Sequence, residues 1–161
     1  MSDELHRIAV TGIILREEGG ARKYLITKRA PHKTWAGKWT VPGGGLEASD
    51  YTSTEATYAN AESSQWYLAL EKALRREIRE EVNLEVGEVQ YLLDIAVVRQ
   101  DREHPALVLS MYCAYLGGEV VLNSESSEYA WIAASEVGQY ELIQGIHHEI
   151  ELVEERLTTK L

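Results

Sequence analysis

The 161-residue chain is short of basic side chains, of cysteine and of long apolar runs. Sixteen Lys and Arg stand against 26 Asp and Glu, a formal net charge of −10. That balance argues against a nucleic-acid or anionic-membrane surface, either of which needs a basic patch. A single cysteine, Cys113, excludes an internal disulfide and fits a reducing cytoplasm. It lies in an apolar run and reads as a small buried hydrophobe. No stretch approaches the ~18 apolar residues of a membrane span, and the polar start "MSDELHR" lacks the apolar segment of a signal peptide. Phenylalanine is absent beside nine tyrosines, with no physical account. These absences leave a cytoplasmic protein that handles small molecules, with neither DNA nor a membrane as partner. A polyphosphate ligand would need a cationic mediator on so acidic a chain, and a bound metal is the obvious one.

What is present is enough apolar content, 45%, for one domain with its own core. "RIAVTGIIL" (7–15) and "KYLITKR" (23–29) are rich in β-branched residues and flank the turn-like "REEGGAR", as in a hairpin. "WTVPGGG" (39–45) reads as a short strand with a proline-glycine stop. Residues 46–64 carry Ser, Thr, Ala and Glu without periodicity and read as a long exposed loop. A helix follows from about Ser64 to Val82. Strand-like runs at 86–98 and 106–117 are joined by "RQDREHP". A short strand is expected near "GEVVL", another at 128–133, and an amphipathic helix from about Tyr140. This order predicts an α/β fold in which a mixed sheet is covered by helices on both faces.

The central helix carries the chemistry. At about 100° per residue, Glu77, Glu80 and Glu81 continue the apolar stripe of Leu70, Ala73, Leu74 and Ile78, while Arg75 and Arg79 fall on the far side. Carboxylates at i, i+3 and i+4 repel one another, and near a helix C-terminus the dipole also disfavours them. A hard divalent cation among the oxygens explains the arrangement. A charged helix end paired with nearby arginines is the alternative. A glycine turn such as "TVPGGG" lets backbone approach a metal or phosphate closely.

Together, "TVPGGG" and "REIREE" resemble the Nudix hydrolase family. Its box reads glycine, five residues, glutamate, seven residues, then R-E-U-x-E-E-x-G-U, with U a bulky aliphatic. Arg76 to Leu84 match the second half with one mismatch, and "WAGKWTVPGG" through Glu47 is similar to the family's entry into the box. The resemblance implies a Nudix α/β/α sandwich and hydrolysis of a nucleoside diphosphate linked to a group X, with Mg²⁺ or Mn²⁺ as cofactor. Nucleoside triphosphates and nucleotide sugars are the leading substrates. It further implies Glu77, Glu80 and Glu81 as metal ligands with the Gly44 carbonyl, and Arg76 as the group that orients Glu77. Glu77 or Glu128, the latter before a tryptophan in "EYAW", is the general base. Arg29 could meet a phosphate and Trp35 could stack on a base; Trp39 reads as core. The rival function is a catalytically silent nucleotide-binding regulatory module. A homodimer is permitted but not required.

The sequence departs from the box in three places. Asn83 replaces its glycine, and Asn is the side chain that best tolerates a left-handed conformation there. The spacing from the glycines to "REIREE" is too long, so residues 48–64 look like an insertion. Seven residues back from Arg76 stands Leu68 instead of glutamate, with Glu47 and Glu62 as possible substitutes.

Overall fold

The computed structural model describes residues 5–159. Two twelve-residue strands form its spine, β1 (Arg7–Glu18) and β9 (Ala106–Gly117), which pair in parallel from Arg7–Ala106 to Leu15–Ala114. The other pairings in this sheet are antiparallel. β2 (Ala21–Arg29) returns along the end of β1 as the expected hairpin, and β10 (Ser126–Ile132) adds to its far edge. On the other side of β9 lie β7 (Glu85–Val86) and β8 (Gln90–Val97). The segment 39–45 is two short strands: β3 (Trp39–Thr40) pairs β2, and β4 (Gly43–Gly45) pairs the start of β1.

Strand alternation sends successive side chains to opposite faces. Val10, Ile14, Leu25, Met111 and Cys113 pack under the helix α2 (Ala69–Val82), against Ala73, Leu74, Ile78 and Val82. Ile13, Tyr24, Ile26 and Tyr112 face the other way, onto Ile146, Ile150 and Val153 of α3 (Ile146–Thr159). A mixed sheet with a helix on each face is the predicted architecture. Cys113 is buried in the first cluster and burial pushes its thiol up to about 12, consistent with an inert hydrophobe. No helix among the described residues is long and apolar enough to cross a membrane.

Four local expectations fail. Residues 46–64 are no featureless loop: they hold the helix α1 (Ser49–Thr52), then β5 (Tyr58–Ala59) hairpinned with β6 (Ser64–Gln65). Their tyrosines pair with later aromatics, Tyr51 with Trp66 and Tyr58 with Tyr67. The central helix therefore starts at Ala69 and not near Ser64, since Leu68 is left-handed (φ 58°) and interrupts the helical path. "GEVVL" is not a strand. Its backbone caps α2 instead, with the Val121 and Asn123 amides donating to the Val82 and Glu81 carbonyls that have no partner within the helix. The last helix begins at Ile146, because a 3₁₀ turn (Ala134–Gln139) and an extended stretch bridging to Trp39 come first.

Candidate active site

A cavity of about 730 Å³ lies where β4 meets the end of α2. Glycines make this approach possible. A Cβ on Gly44 would stand 2.2 Å from Glu77 Oε1, and one on Gly43 would stand 2.2 Å from the Val10 carbonyl oxygen. The apolar stripe of α2 docks on the sheet, so its continuation lowers Glu77 and Glu81 onto that glycine strand. Glu81 is only 8% exposed and accepts one hydrogen bond, from the Gly43 amide at 3.1 Å. Burial pushes its carboxyl up to about 8, against the pull of that amide. Glu77 is half-buried and raised for the same reason, opposed by the neighbouring Arg76 guanidinium.

Of the predicted ligands, Glu77, Glu81 and Gly44 line the cavity. Glu80 does not: it stands exposed at the rim, bonded to Arg76 Nη1 at 3.1 Å, because the stripe edge where it falls has already turned to solvent. Among the described residues, no three His, Cys, Asp or Glu side chains form a ready-made metal cage. The donor set nonetheless suits a divalent cation. A buried carboxylate with a single neutral donor, beside a second carboxylate, lacks a positive partner.

Arg76 meets Glu77 Oε1 at 2.9 Å, as expected, and is itself held by a residue that the sequence reading missed. Asp50, with its side chain 1% exposed, accepts from Arg76 Nε at 2.5 Å and Nη2 at 3.2 Å, and from the Glu47 amide at 2.8 Å. Arg76 Nη2 also donates to the Gly45 carbonyl. Counting five residues forward from Gly44, instead of seven back from Arg76, arrives at Asp50. Leu68 is 70% exposed and takes no part. Of the two proposed substitutes, Glu47 lines the cavity, whereas Glu62 sits at the hairpin turn with its amide on Asn60. The signal for Asp50 was present in the spacing, masked by extra residues between it and Arg76.

Glu128 is misplaced as a catalytic base. It pairs with Lys28 at 2.7 Å on the exposed face of β10 and does not reach the cavity. A register shift between Ser126 and Glu128 sets this phase. Glu125, three residues earlier, does line the cavity and pairs with Lys33 at 2.6 Å. Arg29 and Trp35 both line it, with Arg29 Nε donating to the Thr34 carbonyl. Trp39 packs edge-on against Tyr140, as core. The rim also gathers Arg7, Lys33, Arg99 and Arg102, cations whose convergence no local pattern announced. On a chain of net charge −10, this concentrates positive charge around the carboxylates of Glu47, Glu77, Glu81 and Glu125. Asn83 is left-handed, with φ 57° and ψ 34°, which accounts for its presence in the box.

Comparison with known proteins agrees with this geometry. Residues 5–58 match the NUDIX domain, the match ending inside the segment that stretches the box. The nucleoside triphosphatase NudI of Salmonella paratyphi B is 28% identical over 143 residues, covering 80% of this chain and 86% of that protein. The NUDIX domain of Shewanella oneidensis NrtR, solved with ADP ribose, superposes with a TM-score of 0.72 at 17% identity, over 96% of this chain and 90% of that one. The MutT NUDIX hydrolase of Burkholderia pseudomallei gives 0.69 at 20%, over 93% and 99%. In its matched domain, its relatives and its fold alike, the chain is similar to Nudix hydrolases.

Proposed function

We propose that the protein hydrolyses a pyrophosphate bond of a nucleoside diphosphate linked to a group X, a nucleoside triphosphate or a nucleotide sugar, with Mg²⁺ or Mn²⁺. The observation that carries this is the pairing of the buried Glu81 and half-buried Glu77 against a glycine strand, inside a rim of arginines. Carboxylates alone would repel a polyphosphate. Arg7, Arg29, Arg99 and Arg102 supply the fixed positive charge that draws it in and orients it.

Glu77, Glu81 and the Gly44 carbonyl would hold the cation, with Glu80 reaching in from the rim. Such an ion neutralises phosphate oxygens and makes water more acidic. Arg76 keeps Glu77 aimed at the cavity, and Asp50 keeps Arg76 in place. Water attacks phosphorus, its proton passes to a carboxylate facing the cavity, and the bond to the bridging oxygen breaks. We assign that proton to Glu77 or Glu125, both of which line the cavity. We take the chain as one Nudix domain with an insertion in the box, beginning after Asp50, and place it in a reducing cytoplasm.

The test is release of phosphate and pyrophosphate over a panel of nucleoside triphosphates and nucleotide sugars, with Mg²⁺ and with Mn²⁺. Turnover that depends on the cation is expected. Nucleotide binding without turnover of any substrate would overturn the reading and leave the silent regulatory module.

A further inference from the structure

A second cavity, of about 470 Å³, opens beside the first, and Trp35 lines both. One wall is the face of β8 that Leu93, Ile95 and Val97 share through strand alternation. Ile143 and the start of α3 close the other side. Its polar lining is Gln144, His148 and Glu149, and of these Glu149, in the first turn of α3, is buried at 5% exposure. Glu149 Oε2 accepts from the Ser110 hydroxyl at 2.5 Å. Oε1 lies beside Gly145, 3.7 Å from where a Cβ there would stand, so no side chain from that position screens it. Among the described residues, no Lys or Arg pairs with this carboxylate, and its side-chain donor is neutral. A buried carboxylate so placed has acceptor capacity to spare.

Trp35 adds a second, independent observation. It is 45% exposed and holds φ 58°, a conformation that is strained for a bulky residue and persists where the surroundings enforce it. Here it sets the indole at the junction of the two cavities, with the Arg99 guanidinium 4.6 Å over the ring. A nucleotide has this bipartite shape: a polyanion, a turn at the sugar, and a flat base that stacks on aromatics.

We propose that this groove takes the base of the nucleotide, and that Glu149 selects bases presenting two adjacent N–H donors, guanine above all. The inference rests on the nucleotide-hydrolase reading above and specifies its substrate. A carboxylate only accepts, and it does so best from two parallel donors. Guanine offers its ring N–H and exocyclic amino group side by side. Adenine and cytosine offer one amino group beside a ring acceptor. Thymine and uracil flank a single N–H with two carbonyl oxygens, whose lone pairs would face those of Glu149. A site built to receive donors rejects such a base because its buried acceptor is left unpaired.

Two measurements test this. The first is kcat/KM of the wild type and of Glu149→Gln on the guanine, adenine, cytosine and thymine deoxynucleoside triphosphates with Mg²⁺. Guanine should lead thymine by about ten-fold or more in the wild type, and Glu149→Gln should flatten that ratio while keeping thymine turnover. The second is calorimetric binding of guanosine and thymidine monophosphates without metal, which needs no turnover. Guanosine monophosphate should bind more tightly, and Glu149→Gln should abolish the difference. Ile95→Trp, which fills the groove from β8, should weaken both ligands and keeps the idea testable if the glutamine variant fails to fold. Turnover of all four substrates without ranking, or a ranking unchanged in Glu149→Gln, overturns the inference and leaves the hydrolase reading intact. Absence of any turnover, with discrimination between the monophosphates retained, overturns the hydrolase reading instead.

Discussion

The sheet carries one helix on each face, and each helix buries one glutamate: Glu81 on α2 at 8% exposure and Glu149 on α3 at 5%. They are not equivalent. Glu149 sits in the first turn of its helix, where the dipole favours an anion, bonded to a hydroxyl and beside a largely apolar wall. Glu81 sits in the last turn, where the dipole opposes it, and faces the carboxylates of Glu77 and Glu125 with one backbone amide for support. A buried carboxylate with a neutral donor and spare lone pairs is suited to receive another donor. One crowded by its own kind is suited to receive a cation. The difference teaches that burial alone does not identify the role; the charges around the buried group do.

The largest expected effect comes from removing the charge at Glu81. Glu81→Gln keeps the shape and should cut turnover by orders of magnitude, because the cation loses its most buried ligand. The same change should stabilise the metal-free protein. A carboxyl raised from 4.5 to about 8 stays protonated in the fold at pH values where the unfolded chain has released the proton. The folded state then binds more protons, so stability falls as pH rises between those values. The melting temperature gained by Glu81→Gln, measured in chelator, should therefore be small at pH 5 and grow toward pH 8. A gain independent of pH would break the contrast with Glu149.

Asp50→Asn comes next. It leaves Arg76 with a neutral partner where a nearly buried carboxylate stood, so Glu77 loses its orientation. We expect a ten- to hundred-fold fall in kcat, roughly the cost of losing an outer-shell partner, with a smaller change in KM. Thermal melts should show about 2 kcal/mol of destabilisation. Full activity would mean that the Gly45 carbonyl, Glu77 and Glu80 suffice to fix Arg76.

Smaller still is the turn at Asn83. Glycine there should be tolerated, whereas valine in the left-handed region should cost roughly 1–2 kcal/mol in denaturant melts. The smallest effect is expected from the hairpin. Replacing residues 55–66 by a short linker, with Asp50 and Arg76 retained, should change the substrate profile little, since its Tyr58 and Trp66 pair with the flanking Tyr67 and Tyr51 and neither lines the cavity. A broadened profile in rate assays would instead make the hairpin a lid over the mouth.

Much of this was legible in the chain, because short-range physics writes it there. The hairpin of β1 and β2 is carried by β-branched runs around a glycine turn. The buried edge of α2 follows from its 3.6-residue period, which set Glu77 and Glu81 inward, and a box glycine replaced by asparagine still announced a left-handed cap. What was less legible shares a cause. Glu80 stays off the cavity lining because it lies at the stripe's edge, where a few degrees decide between cavity and solvent. "GEVVL" has the composition of a strand but satisfies the open carbonyls of α2, a demand set by a distant segment.

The sequence by itself determined the helix that buries carboxylates on an acidic chain and the glycine turn that can approach it. Only the tertiary structure decided that Asp50 holds Arg76 across an intervening hairpin, that Glu125 and not Glu128 faces the cavity, and that arginines from three separate stretches converge on its rim. Periodicity along one element fixes which way a side chain points. Which groups from other elements it meets depends on sheet register and loop path, and those are settled by packing over the whole chain.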